Sequence, residues 1–220
     1  MINFVHTGDL HLGLQFRQVS FDKKRAKERR RELWTSFQRI VDYCVEKKKD
    51  FLFIAGDLFE HKYFTLGDIK RVRDILAGAA EVNVVIAAGN HDYLNENSLY
   101  NQVDWTCNVH IFGSTGLEKK VYDDLNTVVY GYSWNRMEIG ENSLFDDFRP
   151  VDVDYKKILL IHGDVGYKSN YLPLDLNMLK SMDMDYIALG HIHKPEIFTE
   201  KIAYCGCPEP LNFGETGDRG

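Results

Sequence analysis

The sequence predicts an α/β fold, a layered β-sandwich with flanking helices. Three observations carry this. Apolar runs at 2–7, 51–55, 82–88, 158–161 and 186–189 are too short for packed helices and read as buried strands. Two longer segments between the first three runs repeat apolar residues every three or four positions, the mark of a helix with one buried stripe. The middle of the chain changes to β-rich stretches separated by Gly or Asn/Asp turns, which predicts a second, more antiparallel sheet.

The elements follow in order. Ile2 to Thr7 opens the chain as a strand. Residues 22–49 form a helix whose stripe is Leu33, Phe37, Ile40, Val41, Cys44 and Val45, and whose N-terminal end, Lys23 to Arg31, is strongly basic. Residues 51–55 are a second strand, 66–80 a second helix on Ile69, Val72, Ile75, Leu76 and Ala79, and 82–88 a third strand. This βαβαβ order calls for a parallel sheet with covering helices. Residues 109–112, 118–122 and 127–132 read as the second sheet. A buried strand at 158–161, a helix at 174–182, a buried strand at 186–189 and one or two strands over 197–204 complete the chain.

Composition sets the bounds. A length of 220 residues with 44% hydrophobic content is one domain, 1–220, able to bury a core without staples. The net charge of −6 does not suit a protein that holds nucleic acid by bulk positive charge. It leaves nucleic acid open, because metal ions cancel carboxylate charge where phosphate would sit. Cys44, Cys107, Cys205 and Cys207 include no CxxC pair and read as reduced thiols of a cytoplasmic protein; Cys205-Gly206-Cys207 alone is a weak case for a soft metal site. The chain starts directly in a strand, without a signal-peptide pattern. No apolar run approaches the roughly 20 residues that span a bilayer. A soluble protein with no membrane role is expected.

Five loops carry the chemistry: Asp9-Leu10-His11, Gly56-Asp57, Gly89-Asn90-His91-Asp92, His162-Gly163-Asp164 and Gly190-His191-Ile192-His193. Each follows an apolar run, and strand ends are where an α/β protein gathers its reactive groups at one sheet edge. In Asp-x-His and His-x-His, positions i and i+2 of an extended segment face the same side. Asp57 has two oxygens with which to bridge two cations, and Asn90 offers a neutral carbonyl oxygen. His91 can face substrate, with Asp92 orienting its ring. Asp9, His11, Asp57, Asn90, His162, His191 and His193 together supply about what two adjacent divalent cations require. The mixture suits Mn²⁺, Fe or Zn²⁺ and is too nitrogen-rich for Ca²⁺ or Mg²⁺ alone. His6, His61 and His110 take structural or solvated roles.

The order D-x-H, G-D, G-N-H-D, H-G, G-H-x-H, covering residues 6–193, resembles the calcineurin-like metallophosphoesterases. Three stretches are similar to the nuclease branch: His6 to Gly13, Gly56-Asp57-Leu58-Phe59, and Leu189 to Pro195. Gly206-Cys207-Pro208 through Glu215-Thr216-Gly217 resembles the end of that branch's phosphoesterase core. The branch contains the bacterial SbcD-type exonuclease subunit and its archaeal and eukaryotic double-strand-break repair counterparts. The resemblance implies an α-β-β-α sandwich. It places Asp9, His11 and His193 on one metal, Asn90, His162 and His191 on the other, and Asp57 on both. His91 becomes proton donor or transition-state stabiliser, with Asp92 behind it. It further implies a Mn-dependent DNA exo/endonuclease of DNA repair, an ABC-type ATPase partner of SbcC type, and a possible homodimer.

Three departures stand out. Gly8 replaces the Ala or Ser more common in the branch. Glu60 stands where archaeal and eukaryotic members have a second functional His and bacterial ones an acidic residue. The sequence stops at Gly220, where family members continue into a DNA-capping domain and an ATPase-binding segment, so both are expected to be absent. Two rival readings are an enzyme on small phosphoesters (nucleotides, cyclic nucleotides or phosphoproteins), favoured by the acidic charge, and a non-catalytic scaffold, opposed by the complete ligand set.

Overall fold

The computed structural model describes residues 2–16, 22–146, 148–150, 154–166 and 169–220. The first ninety residues build β1 (Phe4–Thr7), α1 (Lys23–Glu46), β2 (Phe51–Ala55), α2 (Leu66–Ala77) and β3 (Asn83–Ala87). The side chain of Asp22 caps α1 by accepting from the Arg25 amide. Thr65 and Asp68 form a reciprocal capping box at the start of α2, satisfying amides that a helix start otherwise leaves unpaired. β4 (Val109–Ile111) completes a four-stranded sheet ordered β1-β2-β3-β4, in which every pairing is parallel.

The second sheet comprises β5 (Glu118–Tyr122), β6 (Thr127–Tyr132), β7 (Lys156–His162), β10 (Tyr186–Gly190), β11 (Glu196–Thr199) and β12 (Ile202–Tyr204). Between β7 and β10 lie the short paired strands β8 (Asp164–Val165) and β9 (Pro173–Leu174), then α3 (Leu176–Ser181). The order is β11-β12-β10-β7-β6-β5. β6, β7, β10 and β12 run parallel, and antiparallel pairing is confined to the two edges.

Two expectations are corrected here. The 109–112 segment belongs to the first sheet, where β4 pairs in parallel with β3 and the Phe112 amide extends the ladder to the Ile86 carbonyl. A run this short has no alternation with which to choose a sheet. The second sheet is also mixed rather than mainly antiparallel. Only β5–β6 and β11–β12 are joined by the short links that antiparallel neighbours allow, while its central strands are joined by long crossovers.

The two-residue strand period decides the layers. Phe51, Phe53 and Ala55 of β2 and Val85 and Ala87 of β3 meet Ile158 and Leu160 of β7 and Ala188 of β10 between the sheets. Their neighbours Leu52, Ile54, Val84 and Ile86 face outward onto Leu33, Phe37 and Val41 of α1 and Ile69, Val72 and Leu76 of α2. On the far side Leu159, Ile161, Ile187 and Leu189 cover Leu179 of α3. The result is an α-β-β-α sandwich. Central strands buried on both faces explain why their sequences are apolar throughout rather than alternating.

The same topology sets up the site. β1, β2 and β3 are parallel, as are β7 and β10, so all five place their C-terminal ends at one rim. There the sheets nearly touch. A Cβ on Gly190 would lie 1.7 Å from the Ala55 carbonyl oxygen. Gly56, at φ +86°, leaves no room either, since a Cβ there would fall 2.3 Å from His162 Nδ1.

Candidate metal centre

The rim gathers the five loops read from the sequence. Asp9, His11, Asp57, Asn90, Asp92 and His162 are buried polar residues, while His91, His191 and His193 are half-buried. Asp9, His11 and Asp57 have φ near +50°, and His191 has φ +106°. Non-glycine residues rarely adopt this region, and they persist in it where surrounding structure holds a functional geometry. Backbone bonds from Asp9 to Gly56 (3.0 Å) and from His11 to Asp57 (2.9 Å) stitch the first loop to the second. The His191 amide donates to Asp9 Oδ2 at 3.0 Å, joining the last loop to the first.

Two groupings emerge, with Asp57 between them. Asp9, His11 and His193 bring one ligand atom each within 4.8 Å of one another, as do Asp9, Asp57 and His162. Asp57 Oδ2 lies 3.6 Å from His11 Nε2 and 3.4 Å from His162 Nε2. On the second side, Asn90 Oδ1 is 3.0 Å from His162 Nε2, and the His162 and His191 ring centres are 5.2 Å apart. His162 Nδ1 bonds the Ala55 carbonyl at 2.8 Å, which fixes a proton on Nδ1 and turns Nε2 toward the site. His91 also approaches His11 and Asp57 within the same limit.

These residues fit cations. Asp9 Oδ1 and His11 Nε2 are buried with no hydrogen-bond partner. An orphaned buried acceptor is costly, and here the two orphans belong to groups that converge on one point. The electrostatics agree. Burial would raise the Asp57 carboxyl, but His162, His11 and His91 hold it well below the usual carboxylate range. Burial opposes charge on His162 and His91, yet Asp57 drives the first up to about 9, and Glu60 with Asp57 drives the second up to about 9. His191 is pushed down to about 4 by burial and by neighbouring His162, so it offers a neutral nitrogen. Without cations, protons on imidazoles balance the buried carboxylates.

The structure corrects one expected role. Asp92 does not bond the His91 ring. Its carboxylate accepts from the amides of Asp57 (3.1 Å), Leu58 (2.8 Å) and Gly89 (2.6 Å) and from the Tyr100 hydroxyl (2.7 Å). A carboxylate surrounded by four donors is fully used as a staple between two loops. Glu60 takes the orienting position instead, with Oε1 2.7 Å from His11 Nδ1 and Oε2 3.1 Å from His91 Nδ1. The sequence signal was the acidic residue three positions after Asp57.

Of the remaining histidines, His6 is half-buried and its Nδ1 contacts the Tyr186 hydroxyl at 3.1 Å, and His110 packs edge-on against Phe112. His61 stacks on Tyr93 beside the centre, with ring centres 6.0 Å apart. Among the described residues no helix is long and apolar enough to cross a membrane.

Residues 2–195 match the family model described as calcineurin-like phosphoesterase. The uncharacterized metallophosphoesterase YhaO of Bacillus subtilis is 29% identical over 236 residues, covering 100% of this chain and 56% of YhaO. The DNA double-strand break repair protein Mre11 of Methanococcus maripaludis is 27% identical over 247 residues, covering 99% of this chain and 60% of that protein. The chain therefore spans a little over half the length of these curated relatives. Among solved structures, TT1561 of Thermus thermophilus superposes with a TM-score of 0.56 at 14% identity, over 94% of this chain and 90% of that one, which is a likeness of fold.

Proposed function

Since the chain belongs to the calcineurin-like phosphoesterase family of metal-dependent hydrolases, we propose that it is a two-metal phosphodiesterase of the SbcD-type nuclease kind. It cleaves DNA with Mn²⁺ and acts in repair beside an ABC-type ATPase. The carrying observation is Asp57, held between two ligand groups that include the orphaned atoms of Asp9 and His11. Asp9, His11 and His193 would hold one cation and Asn90, His162 and His191 the other, with Asp57 shared. Such ions supply Lewis-acid charge to a phosphoryl group and lower the pKa of water.

The chain's own residues do the rest. Glu60, by accepting from Nδ1, leaves His91 Nε2 free to face the leaving oxygen. Asp92 keeps the Asp57 and Asn90 loops at a fixed separation. The choice of DNA rests on relatives named as repair proteins and on α1. Lys23, Lys24, Arg25, Lys27 and Arg31 are exposed there. The first three occupy the first turn, where the helix dipole disfavours cations, so helix stability alone does not select them. Arg30 donates to the Gln15 carbonyl at 3.3 Å, which ties this basic end to the loop following the first ligand pair.

The direct test incubates the purified protein with linear DNA or a small phosphodiester, with and without Mn²⁺. Nucleotide release from DNA that requires Mn²⁺, with binding that weakens steeply with salt, is expected. Turnover of the small diester with intact DNA would overturn the nuclease reading and favour small phosphoesters, which the −6 net charge suits.

Metal binding should depend on pH. Ligands bind cations deprotonated, and His162, held up at about 9, carries a proton at neutral pH in the cation-free protein. Binding must expel it, so apparent affinity rises as pH rises toward that value. Calorimetry with Mn²⁺ in buffers of different ionisation heat should report release of about one proton or more. Buffer-independent heats would contradict the charge balance drawn above.

A further inference from the structure

His193 is less enclosed than His11 and His162, its side chain being 29% exposed against 3% and 0%. What fixes its ring comes from the chain end. His193 Nδ1 lies 2.9 Å from Glu215 Oε1. An ionised carboxylate only accepts, so the proton sits on Nδ1 and the Nε2 lone pair is presented on the Asp9 side, where Oδ1 lies 3.8 Å away. Glu215 is itself held. It accepts from the Leu211 amide at 2.7 Å and the Asn212 side chain at 2.7 Å, with the Cys207 thiol at 3.5 Å and Arg219 at 3.8 Å. The segment is also fastened on both sides. The Cys207 amide donates to the His193 carbonyl at 3.0 Å. Arg29 donates to the Pro210 carbonyl at 2.7 Å, and Ser36 to Glu209 at 2.6 Å.

We propose that Glu215 is a positioning residue for the first cation, and that residues 207–219 form a clasp completing that metal position through His193. This rests on the two-metal reading above. A hydrogen-bonded partner behind a ligating histidine is worth roughly 10–100-fold in metal affinity. The first cation should therefore depend on Glu215 and the second should not.

The test is Mn²⁺ titration by calorimetry together with metal analysis of the whole chain. The wild type should bind two ions. Glu215→Ala should weaken one of them by about 10–100-fold and leave the other unchanged. Glu215→Gln, which keeps the shape and an acceptor oxygen without charge, should fall between. Glu209→Gln loosens the clasp from α1 but leaves the Glu215–His193 bond in place, and should weaken that same ion by less than Glu215→Ala does. His193→Ala should lose the same ion, and adding Glu215→Ala to it should cost nothing further, because coupled residues are not additive. Unchanged affinity in Glu215→Ala, or equal loss at both positions matched by Glu209→Gln, overturns the positioning role while leaving the two-metal reading intact. A wild-type chain that binds no Mn²⁺ sinks the two-metal reading and the clasp with it.

Discussion

Asp57→Asn is expected to lose both cations and to slow phosphodiester hydrolysis by roughly 10³-fold, the rate equivalent of several kcal/mol of lost charge stabilisation. The substitution is nearly isosteric. The amide oxygen can still accept from the His91 amide, now 2.8 Å from Asp57 Oδ1, so the loop can keep its path. What disappears is the negative charge set 3.6 Å from His11 Nε2 and 3.4 Å from His162 Nε2. Each ligand group keeps three members, but neither keeps the anion they have in common. Metal analysis after dialysis against Mn²⁺, with hydrolysis rates on the same samples, decides the matter. A variant that keeps two ions and a near-native rate would show that Asp57 is not shared.

The strands that carry these loops were legible because burial on both faces leaves a continuous apolar run, as in Phe51–Ala55 and residues 158–161. The helices were legible from their stripes, and their ends moved only where caps decide. α2 stops at Ala77 because Gly78 follows as its C-cap, short of the Ala80 that periodicity reached. Sheet membership was not legible. Val109–Ile111 is too short to show which face is buried, and its parallel partner β3 lies more than twenty residues back along the chain.

At the centre, the five loops could be located from sequence order, because strand ends are local features. That order could not assign partners to carboxylates. Asp92 sits next to His91 in sequence, yet its oxygens turn back onto backbone amides. Glu60 and Glu215, 31 and 22 residues from the rings they hold, reach them only through the fold. Proximity along the chain misleads here because adjacent residues in a turn diverge, while residues on separate loops share a face.

His91→Ala separates catalysis from metal binding. Turnover should fall by about 10²–10⁴-fold, the usual worth of a positioned acid, while both cations remain. The expectation is not trivial, because His91 also lies within ligand distance of His11 and Asp57. Two features argue for the acid role. Its side chain is 36% exposed, more open than that of His193 at 29%, so a substrate can reach it. Its other nitrogen is committed to Glu60. Burial lowers the affinity of this ring for a proton, but the bond to Glu60 and the charge of Asp57 outweigh it, raising the value to about 9. In the cation-free protein a group so raised holds its proton at neutral pH; cations sharing Asp57 cancel that part of the rise, and the bond to Glu60 is what keeps the ring protonated until pH climbs. Wild-type turnover should therefore decline on the alkaline side, and the residual activity of His91→Ala should lack that limb. Loss of a cation in the variant would instead make His91 a ligand, and an unaltered alkaline limb would move the acid elsewhere.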